Sequence, residues 1–333
     1  MGLSLKVMIA SGDSDAERLA LLGDKVLGHR WLPTSDKLIF SIVVNLSSKK
    51  RGARTARDLT IGDIDRLPGM IFTRRILLGF VMAQYDPMGL LSPLLVILKI
   101  QLRKLYGPEV DLAWDDPVPE PQKAEWIEII TMLLRMGDII LDRAVKPPNA
   151  AGPPDLIGFW DGSLLAYSCA IYVRWRLDLT DVEGNDAFFV SLVCGKARVT
   201  PVKGITAPRS EVSGFLILTR LLKVVINAME EKPKSVTLAG DSQCTISATE
   251  KSGGTLAPYF ASRIAEAMSN IEEVSEYTKI EEIQHVPGAL NPADIPTRAR
   301  TTPDEVRTGS IWQSGPAYLR EPKKNWPFSR DKK

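Results

Sequence analysis

The stretch Ile157-Gly-Phe-Trp-Asp-Gly-Ser163 constrains this chain more than any other. An apolar run delivers one carboxylate, Asp161, to a Gly-Ser turn, and a second run, Ala166 to Trp175, alternates as it leads away. That pattern predicts two antiparallel strands with the acid at the end of the first, half shielded from water. A lone carboxylate is costly in such a place, whereas a metal ligand is well served by it. Three more acids stand at similar punctuation points. Glu211 falls in the first turn of an amphipathic helix, Asp241 ends a short strand, and Asp294 starts a helical turn shortly after His285.

Periodicity places these acids in one scheme. Strands are predicted over Leu156–Trp160, Ala166–Trp175 and Ala187–Lys196, followed by a helix over Arg209–Met229 with Val212, Phe215, Leu216, Leu218, Leu222, Val225 and Ile226 on one face. A strand at Ser235–Ala239, a short helix after Asp241, a helix at Pro258–Val274, a strand at Lys279–Val286 and a last helical turn from Pro292 complete it. The order is that of an α/β fold: a mixed five-stranded sheet with helices packed on it.

The first half reads differently. A strand-like opening, a helix at Asp15–Leu27 and a strand at Lys37–Leu46 precede a basic run, Lys49 to Arg57, that reads as a loop. Thr73 to Tyr106 is helical in period, broken at Asp86-Pro-Met-Gly and at Ser92-Pro. Asp115 and Asp116 lie in a proline-rich connector and read as turn or helix-start residues, not as a metal pair. A third helix is predicted over Glu125–Leu141, and the Pro-rich segment from Pro147 has the composition of a linker. The expected units are therefore 1–57, a helical region 58–146, a linker 147–155, the α/β unit 156–300 and an extension 301–333.

Composition narrows the function classes only a little. A chain of 333 residues with 44% hydrophobic and 25% charged residues is long enough for more than one core, and its net charge of +2 neither demands nor excludes nucleic acid. Three scattered cysteines, Cys169, Cys194 and Cys244, lack metal-ligand spacing and lie in or beside apolar runs, which predicts buried free thiols in a reducing compartment. No signal-peptide pattern opens the chain, and the apolar region Ile76–Leu102 is interrupted by Gln84, Asp86, Pro87, Pro93 and Lys99. An intracellular protein, cytoplasmic or nuclear, with no membrane partner is expected.

Four carboxylates meeting at one point repel by several kcal/mol, roughly, unless a cation sits among them. Oxygen-only ligands suit a hard ion, so magnesium or manganese is expected and zinc is not. Taken singly, each acid also has a structural reading. Glu211 complements a helix dipole, and Asp241-Ser242 and Asp294 can cap helices. Pattern alone leaves both readings open.

Four motifs add a resemblance. Phe159-Trp-Asp-Gly-Ser163, Pro208-Arg-Ser-Glu211, Gly240-Asp-Ser242 and His285-Val-Pro-Gly-Ala-Leu-Asn-Pro-Ala-Asp294 resemble those of a retroelement ribonuclease H domain. Thr73 to Pro93, Lys196 to Lys203 and Trp312 to Leu319 are similar to the region after the polymerase in BEL/Pao-type retrotransposons. The resemblance implies that Asp161, Glu211, Asp241 and Asp294 bind two Mg2+ or Mn2+ ions and cut the RNA strand of an RNA–DNA hybrid. It implies that His285 assists proton transfer and product release from a mobile loop. Ser163, Gln243, Lys196, Arg198, Lys203 and Arg209 are then candidates to contact the hybrid backbone. Residues 1–57 would be the tail of a reverse transcriptase, making the polymerase part of the same polyprotein a further expected partner.

Two other readings stand beside this one. The first is a catalytically silent scaffold that grips nucleic acid, for which the helical region 58–146 is suited. The second is an aspartic peptidase, which needs Asp-Thr-Gly or Asp-Ser-Gly. The chain has Asp161-Gly-Ser and Asp241-Ser-Gln, so it is disfavoured.

Overall fold

The computed structural model describes residues 29–47, 49–50, 53–107, 110–180, 186–251, 253–298 and 300–329. The strand-like opening and the helix expected at Asp15–Leu27 lie outside the described residues. A small antiparallel sheet comes first: β1 (Arg30–Leu32) pairs with β2 (Lys37–Phe40). Within the basic run, β3 (Lys49–Lys50) and β4 (Ala53–Arg54) form a two-stranded hairpin where a loop was expected. Arg57, at the end of that run, donates to both oxygens of Asp63, at 2.8 and 2.7 Å.

Helices α1 (Arg74–Met82) and α2 (Ser92–Arg103) follow the predicted breaks. Thr73 caps α1 by accepting from the Ile76 amide, and Asp86 accepts from the amides of Leu90 and Leu91 just ahead of α2. Helix α3 (Glu120–Met136) departs from expectation at both ends. It starts five residues earlier, and it stops at Gly137, whose φ of +68° a residue with a Cβ adopts poorly. The next residues form β5 (Ile139–Asp142) and pair with β2, with Ile139 and Leu141 buried and Ile140 and Asp142 exposed. That period of two outweighs the helical reading of the same residues.

The main sheet is built from β6 (Asp155–Gly162), β7 (Ala166–Thr180), β8 (Asp186–Val199), β9 (Ser235–Gly240), β10 (Lys279–Ile280) and β11 (Gln284–His285). β6, β7 and β8 form an antiparallel meander, β9 runs parallel to β6, and β10 and β11 both run parallel to β9. The single strand expected over Lys279–Val286 is thus two short ones. Mixed α/β architecture with a mixed sheet holds as predicted.

Both faces of this sheet are covered, which is why Leu156 to Asp161 are all buried. On one face lies α4 (Ala207–Ala228), which buries Val212, Phe215, Leu218, Leu222 and Ile226. Each such side chain contributes about 1.5–3 kcal/mol of transfer free energy. Helices α5 (Gln243–Thr249) and α6 (Pro258–Ser275) extend that layer, and Cys244 on the outer side of α5 is exposed, unlike Cys169 and Cys194, which are buried as expected. On the other face, Phe159, Tyr172, Val190 and Leu192 share one core with Leu77, Phe80 and Trp126 of the first half.

The C-terminal segment closes that second core. After α7 (Asp294–Thr297) it runs through α8 (Ile311–Ser314), where Trp312 is wholly buried and donates its Nε1–H to Leu90 O at 2.8 Å. Arg307 donates to Met136 O, and Arg174 of β7 donates to Leu319 O. The proline-rich segment is likewise tied down, since Ala151 N donates to Arg176 O and Asp178 N to Asn149 O.

Candidate active site

Asp161 is the second-last residue of β6, and Asp241 follows the last residue of β9, the parallel neighbour of β6. Neighbouring strands lie about 4.8 Å apart, so two strand ends alone bring these carboxylates together. Glu211 arrives from the other direction, because α4 lies unusually close to the end of β6. A Cβ on Gly162 would fall 2.4 Å from the Glu211 amide nitrogen, and one on Gly214 would fall 2.5 Å from Asp161 O. Bare glycines at these two positions permit the contact. The loop after β11 closes the site: a Cβ on Gly288 would fall 2.8 Å from Asp241 Oδ2, and α7 presents Asp294.

The electrostatics record this convergence. Burial, then the charge of Asp241, raise the Asp161 carboxyl to about 7, with Asp294 adding to the rise and the Thr297 hydroxyl opposing it. Burial likewise raises Asp241, which is hydrogen-bonded to Asp161 and feels Asp294. Burial raises Glu211, and the charge of Asp241 adds to this while the Ser242 hydroxyl offsets part of it. All four acids singled out from the sequence therefore interact, directly or through Asp241.

Each acid also has a neutralising or donating neighbour. Thr297 Oγ1 donates to Asp161 Oδ2, and Ser242 Oγ donates to Glu211 Oε2. Arg298 pairs with Asp294 one helical turn away. Asn291 donates at 2.9 Å to Trp160 O and at 3.4 Å to Asp241 Oδ1. Among the described residues, no three His, Cys, Asp or Glu side chains are gathered around one point as metal ligands would be. The carboxylates approach in pairs, each turned onto a donor of the protein, and rotamer changes exchange such contacts. Oxygen donors raised first by burial and then by one another's charge, Asp161 to about 7, fit a hard divalent cation.

Thr297, Asn291 and Arg298 were not singled out from the sequence, and Ser242 was named there as a helix cap, which it is, and not as a partner of Glu211. Three of the four had a signal, because Ser242 adjoins Asp241, Asn291 lies inside the His285–Asp294 motif, and Arg298 is four residues past Asp294.

The remaining candidates are spread more widely. His285 is buried and held in β11 beside Gly240, with its backbone paired to Ser329. His285 therefore lies in a short strand where a loop was expected. The Ser163 hydroxyl accepts from the Leu165 and Ala166 amides and donates to Thr297 O at 3.0 Å, so it anchors α7 to the turn after β6. Gln243 Oε1 is buried beside Asp241 with no hydrogen-bond partner. Lys196 and Arg198 are exposed on edge strand β8, where Arg198 pairs with Tyr167, itself opposite Gly162. Two strand spacings put Arg198 about 10 Å from the end of β6. Lys99 of α2 belongs to this basic group: burial holds its ammonium below the usual range, and the charges of Arg198 and Lys196 add to this against Asp86. Lys203 is exposed in the turn after β8, and Arg209 lies 4.9 Å from the Tyr259 ring centroid.

A family model described as the Pao retrotransposon-like RNaseH-like domain matches residues 73–242, half of the chain. The chain belongs to that family. The matched span contains Asp161, Glu211 and Asp241 and runs from α1 through the end of β9. None of the curated proteins matches the chain. Among solved structures, it is similar to the N-terminal RNase H domain of a Mycobacterium tuberculosis protein at 11% identity, covering 44% of this chain and 95% of that one, with a TM-score of 0.29. It is also similar to LC11-RNase H1 in complex with an RNA/DNA hybrid, at 13% identity over 42% of this chain and 91% of that one, with a TM-score of 0.28. A foamy viral protease–reverse transcriptase in complex with double-stranded DNA is similar at 9% identity over 79% of this chain and 46% of that one, with a TM-score of 0.21. No helix among the described residues is long and apolar enough to cross a membrane.

Proposed function

We propose that this chain hydrolyses the RNA strand of an RNA–DNA hybrid at the four-acid site. The observation that carries the reading is the mutual crowding of Asp161, Asp241 and Asp294, with Asp161 raised to about 7. Asp161, Glu211, Asp241 and Asp294 would hold two magnesium or manganese ions, which when bound supply water activation and stabilisation of the leaving oxygen. The protein's own contribution is to bring these side chains near one another from two adjacent strand ends, from the second turn of α4 and from the start of α7. Asn291 fixes Asp241 against the Trp160 carbonyl, Thr297 orients Asp161, and Ser242 orients Glu211.

His285, beside Gly240, is the group proposed to pass a proton. The hybrid backbone would lie along Lys196, Arg198, Lys203 and Arg209, and Gln243, whose oxygen is buried, would reach it only after a rotamer change. Ser163 supports the site through Thr297. Backbone contacts of this kind carry little sequence preference.

One observation favours a second reading, a silent nucleic-acid-binding scaffold: Arg298 already neutralises Asp294. Cleavage of an end-labelled hybrid in magnesium and in manganese separates the two. RNA cut by the wild type and spared by Asp241→Asn supports the hydrolase. An intact hybrid in both lanes, with folded protein, leaves the scaffold.

A further inference from the structure

The sheet has a second charged feature at the end away from the acids. β6 begins at Asp155 and reaches Asp161 six residues later, a run of about 20 Å at about 3.3 Å per residue. Around its beginning, and around the first residues of β9 and β10, lies a groove of about 590 Å3. Its basic lining is Arg174, Arg176, Lys234, Lys279 and Lys323. Two acids, Asp155 and Glu281, face them, so the described residues that line the groove carry a formal net charge of +3.

The acids are already engaged at the floor of the groove. Asp155 accepts from Arg174 Nη1 at 3.1 Å and from the Ser235 hydroxyl at 2.7 Å. Glu281 accepts from Lys323 at 2.9 Å and from Thr237 at 2.6 Å. Burial raises the Glu281 carboxyl, but the Thr237 hydroxyl and the Lys323 ammonium outweigh it and hold that group below the usual carboxylate range. Arg174 is 3% exposed, donates to Leu319 O and Glu321 O, and packs 3.3 Å from the Phe188 ring centroid. The floor is therefore rigid and internally balanced.

The mouth is not balanced. Lys234 and Lys279 are exposed and form no ion pair with any described residue. Gly152, with φ of +70° and no heavy atom within 4 Å of where a Cβ would stand, leaves one wall without a side chain. An open groove with surplus cations above a fixed polar floor attracts a compact polyanion. Its volume lies within the 300–1,000 Å3 or so of small-molecule sites. We infer that this groove is an anion site, separate from the four acids, that takes a condensed phosphate, either free or as the phosphate chain of a nucleotide.

Titration calorimetry with pyrophosphate, on the full chain in EDTA, tests this without reference to hydrolysis. Saturable binding is expected in the wild type and equally in Asp241→Asn. A Lys234→Gln/Lys279→Gln variant should bind at least about tenfold more weakly, the worth of one charge-assisted hydrogen bond, with an unchanged unfolding midpoint. A nucleoside triphosphate run in parallel distinguishes the two sources. Tighter binding than pyrophosphate assigns the groove to nucleotides, and equal binding assigns it to the phosphate chain alone. No saturation by about 10 mM, equal binding by the double lysine variant, or binding lost in Asp241→Asn would each overturn the inference.

Discussion

Replacing Asp161 by Asn should make the protein more stable, and only at the upper end of the pH range. The carboxyl is raised from 3.8 to about 7 in the folded protein by burial and by Asp241, whereas in the unfolded chain it keeps its ordinary value. Below about pH 4 it is protonated in both states and contributes nothing differential. Between about 4 and 7 the folded state holds a proton that the unfolded state has released, so stability falls as pH rises through that window. Three units at 1.36 kcal/mol each amount to about 4 kcal/mol, fully lost above about pH 7. Asparagine carries no charge at any of these pH values, and its Oδ1 still accepts from Thr297.

Urea unfolding in EDTA at about pH 4 and pH 8 is the assay. The variant and the wild type should differ little at the lower pH. At the higher pH the variant should be more stable by up to about 4 kcal/mol. Divalent cation added at about pH 8 should then stabilise the wild type by relieving the same repulsion, with a smaller effect on the variant. A stability difference that is the same at both pH values would refute the argument, because it would mean that burial and the neighbouring acids do not raise the Asp161 carboxyl.

Three further outcomes follow from the packing. Gly162→Ala places a Cβ 2.4 Å from backbone atoms of Ser210 and Glu211, so it should cost about 1–3 kcal/mol in urea unfolding and reduce hybrid cleavage by shifting Glu211. Trp312→Ala empties a fully buried site that joins the C-terminal segment to Leu90, and should cost about 3–5 kcal/mol. Loss of stability at that site, followed through separate tryptophans in the two halves, should appear in both at one urea concentration. Arg298→Gln removes the half-exposed guanidinium that pairs with Asp294, and should tighten Mn2+ binding a few-fold when free ion is followed by electron paramagnetic resonance.

Much of the second half was legible because its signals are local. An apolar run before Asp161, alternation over Ala166 to Trp175, a period near 3.6 over Val212 to Ile226, and turn residues at Gly162-Ser163 and Gly240-Asp241 fix strands, helix and their ends. The same periodicity misled at Glu125–Leu141, where Gly137 ends the helix and Ile139–Asp142 joins a sheet whose other strands lie about 100 residues earlier. It also gave no hint that Phe159 and Tyr172 would share a core with Phe80 and Trp126, since such contacts depend on chain segments that no window spans.

The sequence by itself determined which acids stand at element ends, because strand and helix termini follow from local pattern and turn chemistry. Only the tertiary structure decided that they crowd one another. Parallel pairing of β6 with β9 sets Asp161 beside Asp241, and the bare Cα of Gly162 and of Gly214 lets α4 approach near enough to add Glu211. The same packing chose Thr297 and Ser242 as hydroxyl partners of Asp161 and Glu211, whereas Arg298 pairs with Asp294 locally, four residues along the chain. Proton affinity depends on burial and on charges a few ångströms away, and those distances exist only once the sheet and its two covering layers have closed.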